Sequence, residues 1–192
     1  MGNRGCIHKP DRTLGVARWR SKLWISCVLD FRGWKRDVMP PGRWTALFFL
    51  DEATALAAGH RPCGYCRAAD HHWFGESWRA AKKLTARPTA AQMDSALHAE
   101  RVDGRTRHQS TRKIVLGELP DKAMVSYEGF PALRAGNALL PWSFAGYGPP
   151  ILPSPGLRVE LLTPPTIVGA LHAGYRPLVH PSAGPTSMRE FP

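Results

Sequence analysis

The sequence predicts an α+β fold: a small strand–helix unit, followed by a helix and a small antiparallel β-rich unit. Three observations predict it. Apolar residues alternate over 18–31 with the two-residue period of a half-buried strand. Alanine-rich and amphipathic stretches at 52–58, 67–84 and 90–102 carry helix start and stop signals. Short apolar runs after residue 112 are punctuated by glycine and proline, as in a small antiparallel sheet or barrel. Eighteen Gly and eighteen Pro in 192 residues exceed the usual share, so short elements and much loop are expected.

Residues 1–17 read as irregular loop. In the first strand Leu23, Ile25, Cys27 and Leu29 share one face, and Trp24, Ser26, Val28 and Asp30 share the other. A second strand is expected at 43–50. Asp51 is a natural N-cap for a helix over 52–58, with Glu52 where the helix dipole favours an acid and Gly59 just past the end. His60-Arg61-Pro62 then leads into Cys63-Gly64-Tyr65-Cys66. The next helix starts near Arg67, with Trp73, Phe74, Trp78, Ala81 and Leu84 on one stripe. Pro88 closes that stretch and divides the chain into 1–88 and 89–192. Thr89 and Gln92 form a capping box for a helix to about Val102, with Met93, Ala96 and Leu97 inward. A basic loop follows at 103–112, then strands at 113–117, 123–128, 132–140 and 157–162, and a loosely ordered tail after Pro181. Residues 55–62 and 170–177 match at six of eight positions, each reading as a helix stopped by a left-handed glycine and turned by a proline.

The net charge is +11. The excess is concentrated early: residues 1–90 hold 16 Lys and Arg against 7 Asp and Glu, and residues 91–192 hold 10 against 8. Such a balance favours an anionic partner, nucleic acid above all. The expected phosphate contacts are Arg18, Arg20, Lys22, Arg32, Lys35, Arg36, Arg61 and Arg67, with Trp19 or Trp34 to stack on bases. No apolar run reaches 18 residues, so no membrane partner is expected, and the polar start carries no signal peptide. The expected location is cytoplasmic, where free cysteines serve metals or packing more than disulfides.

Two thiolates separated by two residues can converge on one tetrahedral Zn2+. A redox Cys-x-x-Cys pair instead opens a helix behind a thioredoxin-like strand; here a helix stop and Pro62 precede it. Four candidates can complete the site: Cys6, His8, Cys27, and the pair His71 and His72. The first-ranked set is Cys6, His8, Cys63 and Cys66; the second replaces His8 with Cys27. Either closes the site with protein ligands, which makes it structural.

Over residues 47–68, Leu47-Phe-Phe-Leu-Asp51-Glu-Ala-Thr-Ala-Leu-Ala-Ala-Gly59-His-Arg61-Pro62-Cys63-Gly-Tyr-Cys66-Arg67 resembles the metal-binding domain of Ada-type alkyl-DNA repair regulators. The resemblance implies zinc on Cys63 and Cys66, Arg61 and Arg67 near a DNA-facing surface, and a role in DNA repair or processing. That family's upstream Cys-x-x-x-Cys pair, which supplies the methyl-accepting thiolate, is absent here.

An enzyme is the alternative. His98-Ala-Glu100 and Pro62-Cys-x-x-Cys echo the zinc deaminase signature, but in reversed order. Asp94, His98 and Glu100, with His108 and nearby arginines, offer a general base beside phosphate-binding groups for hydrolase, lyase or glycosylase chemistry on nucleic acid. A protein-interaction module with an incidental basic surface is the third reading.

Overall fold

Short elements dominate, as the glycine and proline content implies. The computed structural model describes residues 1–35, 37–154 and 156–184; Arg36 and the end of the tail lie outside this description. In chain order the elements are β1 (Gly2–Asn3), β2 (Ile25–Ser26), α1 (Glu52–Ala57), β3 (Arg61–Pro62), α2 (Ala68–Ala81), α3 (Ala90–Arg101), β4 (Arg112–Val115), β5 (Met124–Tyr127), β6 (Phe130–Ala135), β7 (Ala138–Ser143), β8 (Gly146–Tyr147), β9 (Arg158–Leu161) and α4 (Pro165–His172). The fold is α+β. A three-stranded sheet has the order β1-β2-β3, and a six-stranded antiparallel sheet has the order β4-β9-β5-β6-β7-β8.

The helix ends follow local chemistry. The Asp51 side chain accepts from the Thr54 amide at 2.8 Å, while Thr54 Oγ1 accepts from the Asp51 amide at 3.0 Å. Thr89 and Gln92 make the same reciprocal pair at the start of α3. Each such cap is worth about 1 kcal/mol. The strands depart more from expectation. The stretch 18–31 contributes only two paired residues, and 43–50 only a bridge at Leu47. The expected strand 132–140 is a hairpin, turning between β6 and β7. The alternation around β2 is real, but its buried side is that of Trp24 and Ser26; Leu23 and Leu29 face solvent. Trp24 is inward because cations and an imidazole stack on it, namely Arg4, Arg101 and His60.

One apolar core runs across the Pro88 boundary. Leu56, Phe74 and Trp78 from the first part pack with Met93, Leu97, Val125, Leu139, Ile167 and Leu171 from the second. α2 lies along α4. Among the described residues, no helix is long and apolar enough to cross a membrane.

Candidate metal centre

The strand before α1 and the strand after it run parallel, Ile25 opposite Arg61 and Ser26 opposite Pro62. Continuing that register by one residue sets Cys27 beside Cys63, whose amide donates to Ser26 O at 3.0 Å. Beyond Cys63 the chain turns at once, the Arg67 amide donating back to Cys63 O at 3.1 Å, and this turn returns Cys66 to the same spot. The sulfurs of Cys27, Cys63 and Cys66 lie within 4.8 Å of one another. Gly64 has no left-handed φ and room for a Cβ, so the turn does not depend on a glycine there.

These three thiols could hold a metal ion. Tetrahedral zinc–sulfur bonds of about 2.3 Å set sulfurs roughly 3.8 Å apart, a separation that lies inside the 4.8 Å limit of the cluster. The Tyr65 amide donates to Cys63 Sγ at 3.4 Å, an outer contact that orients a ligating sulfur. Hydrogen bonding from Cys27, then from the Cys66 and Tyr65 amides, holds the Cys63 thiol below its ordinary value against the opposing effect of burial. The same link to Cys63, with burial, pushes Cys27 up. Among the described residues no fourth Cys, His, Asp or Glu joins the cluster.

Cys6 and His8 are not part of this cluster. They belong to a tight loop in which Gly15 N donates to Ile7 O and His8 bridges Leu14. Cys6 Sγ contacts His8 O at 3.9 Å, and His8 Nδ1 is 2.7 Å from Thr45 Oγ1. Cys27 takes their place, for a topological reason. A strand–helix–strand crossover lays the strand before the helix beside the strand after it. The predicted strand at 18–31, the helix at 52–58 and the knuckle at 63 already contained that arrangement.

Of the expected phosphate contacts, Arg18, Arg20, Lys22, Arg32 and Lys35 are exposed. Arg36 lies outside the described residues. Arg61 and Arg67 are held inside instead. Arg61 is 4% exposed, and its guanidinium makes a two-pronged pair with Asp94, Nε to Oδ1 at 2.9 Å and Nη2 to Oδ2 at 2.7 Å. Arg67 bridges Glu52 and Asp70, each at 2.7 Å, and donates to Ser26 Oγ. Arg61 therefore ties β3 to α3, and Arg67 ties β2 to α1 and α2.

The alternative catalytic residues do not converge. Asp94 is spent on Arg61. Glu100 accepts from the Thr166 amide and hydroxyl at the start of α4. His98 sits edge-on to Trp19 and Trp24. His108 is exposed on the loop beyond.

Beside the thiols is an aromatic group that the sequence did not single out as such. Tyr65, between Cys63 and Cys66, has its ring 5.3 Å from Phe31 and 5.9 Å from Trp34. Tyr65 is 59% exposed and Trp34 49%. The Arg32 guanidinium carbon is 5.1 Å from the Phe31 ring centroid. The signal for it was available: the basic turn after β2 contains two aromatic residues, and the parallel register carries that turn to the knuckle. Compared with family models, curated proteins and solved structures, the chain matches none.

Proposed function

We propose that the chain is a zinc–thiolate protein that binds nucleic acid, with single-stranded or unpaired DNA as its first partner. The observation that carries this reading is the aromatic group beside the thiols, exposed Trp34 and Tyr65 with half-buried Phe31, with Arg32 stacked on Phe31 and Lys35 exposed next to Trp34 in the chain. Aromatic faces interleaved with cations suit base stacking with phosphate contact, and they tolerate any sequence. Cys27, Cys63 and Cys66 would hold the zinc. Bound there, it would fix the knuckle and present one coordination position to an outside ligand. The resemblance of residues 47–68 to Ada-type metal-binding domains supports zinc at Cys63 and Cys66, and a setting in DNA repair or processing.

Elemental analysis and binding together test the proposal. Purified protein is expected to carry one zinc per chain. Cys27→Ser is expected to lose it, and Cys6→Ser to keep it. Anisotropy of a labelled single-stranded oligonucleotide is expected to report binding that weakens steeply with salt. Trp34→Ala with Tyr65→Ala is expected to reduce affinity roughly tenfold or more, given about 1–3 kcal/mol per stacked base. Metal-free folded protein would refute the zinc assignment, and absence of binding at low salt would refute the nucleic-acid assignment.

A further inference from the structure

Away from the thiols, a cavity of about 250 Å3 opens between the N-terminal segment, the end of α1 and the loop after α3. Arg4, Arg18, Arg101 and Arg107 line it, with Trp19 and Trp24. The Cζ atoms of Arg4 and Arg101 each lie 3.9 Å from the Trp24 ring centroid. Trp19 is 6.2 Å from Trp24, and Arg107 Cζ is 5.7 Å from the Trp19 ring.

No acidic residue lines the cavity. Among the described residues none of these four arginines forms an ion pair; the ion-paired arginines are Arg61, Arg67, Arg79 and Arg87. Arg101, 2% exposed, donates instead to the carbonyls of Gly59 at 2.6 Å and Lys22 at 2.7 Å, and its Nε is buried without a partner. Arg4 donates to Ala58 O at 3.1 Å. Carbonyls orient a guanidinium but bring no formal charge; the carboxylate that acts on Arg101 is Asp94, which is itself paired with Arg61, so net positive charge remains in a site partly withdrawn from water. Burial is the main influence on both cations, lowering Arg4 to about 10 and Arg101 to about 9, so both stay charged at neutral pH.

We propose that this cavity binds one phosphate group of a nucleotide, with the adjoining sugar or base against Trp19. Guanidinium forks match phosphate geometry, and several cations around one cavity suit a multiply charged oxyanion better than a single carboxylate. The volume falls below the range of about 300–1,000 Å3 that encloses whole small-molecule ligands, and so fits a phosphate with part of its sugar. Arg107 lies on a locally fixed turn. The Asp103 carboxylate gathers the amides of Arg105 and Thr106, Arg107 N donates to Asp103 O, and Arg107 is held at φ +61°, which an arginine backbone does not favour. The cavity shares no residue with the thiol cluster or the aromatic group. It extends the nucleic-acid reading only if the phosphate belongs to a strand.

The test uses full-length protein and two double variants. Arg18→Ala with Arg107→Ala removes exposed cavity cations; Arg112→Ala with Lys113→Ala removes the same charge from exposed positions on β4. Each is titrated at low salt with thymidine 5′-monophosphate, thymidine, and a labelled oligothymidine. The monophosphate is expected to bind and thymidine not. The cavity variant is expected to lose roughly tenfold or more in affinity for the monophosphate and for the strand, and the control variant less than about threefold. For the strand, the slope of log affinity against log salt is expected to shrink by about 0.7 for each phosphate contact removed. Equal effects of the two variants would overturn the cavity assignment while leaving strand binding in place. Monophosphate binding that the cavity variant loses, without any strand binding, would keep the cavity and overturn the nucleic-acid reading. Thymidine binding as well as its monophosphate, or no binding by any probe, would overturn the phosphate assignment.

Discussion

Glu52 shows how a single carboxylate is made useful inside the protein. It is 6% exposed, yet it accepts from Tyr175 Oη at 2.5 Å and from the Leu178 amide at 2.9 Å, and it pairs with Arg67 at 2.7 Å. Burial raises the Tyr175 hydroxyl well above its ordinary value, and the Glu52 charge raises it further. A phenol whose folded value exceeds its unfolded value of about 10 keeps more protons in the folded state above that pH. Its contribution to stability is complete below pH 10 and is lost as pH rises beyond. The slope is about 1.4 kcal/mol per pH unit for one group. Tyr175→Phe is expected to lower stability by roughly 1.5–3 kcal/mol at neutral pH through loss of a bond to a charged acceptor. It is also expected to flatten the alkaline decline by about that slope. Urea denaturation of both proteins between pH 8 and about 11 checks this; parallel alkaline limbs would refute it.

At the scale of elements, the repeated helix-stop device is the most informative feature. His60 N donates to Ala55 O and Tyr175 N to Ala170 O, both at 2.9 Å, so the two copies close with the same long bond. Gly59 has φ +79° and Gly174 φ +106°. Their surroundings differ. A Cβ on Gly59 would lie 2.4 Å from Arg101 Cδ, whereas one on Gly174 would meet nothing within 4 Å. Gly174→Ala is expected to cost about 1 kcal/mol, the backbone penalty alone. Gly59→Ala is expected to cost about 1–3 kcal/mol more through overpacking, and to disturb the Arg101 cavity. Equal losses in thermal or urea unfolding would contradict this. The same contrast explains what was legible in the sequence. Caps, glycine stops and the echo are local, and residues within a few positions determine them. The inward side of the Trp24 strand, the burial of Arg61 and the recruitment of Cys27 depend on partners 33 to 77 positions away: Arg101 on Trp24, Asp94 on Arg61, Cys63 beside Cys27. Alternation alone reveals two faces and does not say which one meets the protein.

At the scale of the whole molecule, composition and the Pro88 break suggested a zinc unit over 1–88 with a second unit after it. The packing argues for interdependence. Leu56, Phe74 and Trp78 have their apolar neighbours in α3, the large sheet and α4. Arg61, on β3, has its carboxylate partner on α3. Glu52, which holds Arg67, is itself held by Tyr175 and the Leu178 amide. Removing residues 89–192 would expose the apolar face of α2 and leave Arg61 without Asp94, and a buried charge stripped of its partner costs about 3–5 kcal/mol. Zinc on three thiolates would still cross-link β2 to the knuckle, but it would not replace that core. A fragment of residues 1–88 supplied with equimolar zinc is therefore expected to bind metal and yet give an amide spectrum of narrow dispersion. The full chain is expected to unfold in one transition, reported alike by tryptophan fluorescence and far-ultraviolet circular dichroism. A well-dispersed spectrum from the zinc-loaded fragment would show that the cross-link, and not the shared core, is what organises the first half of the molecule.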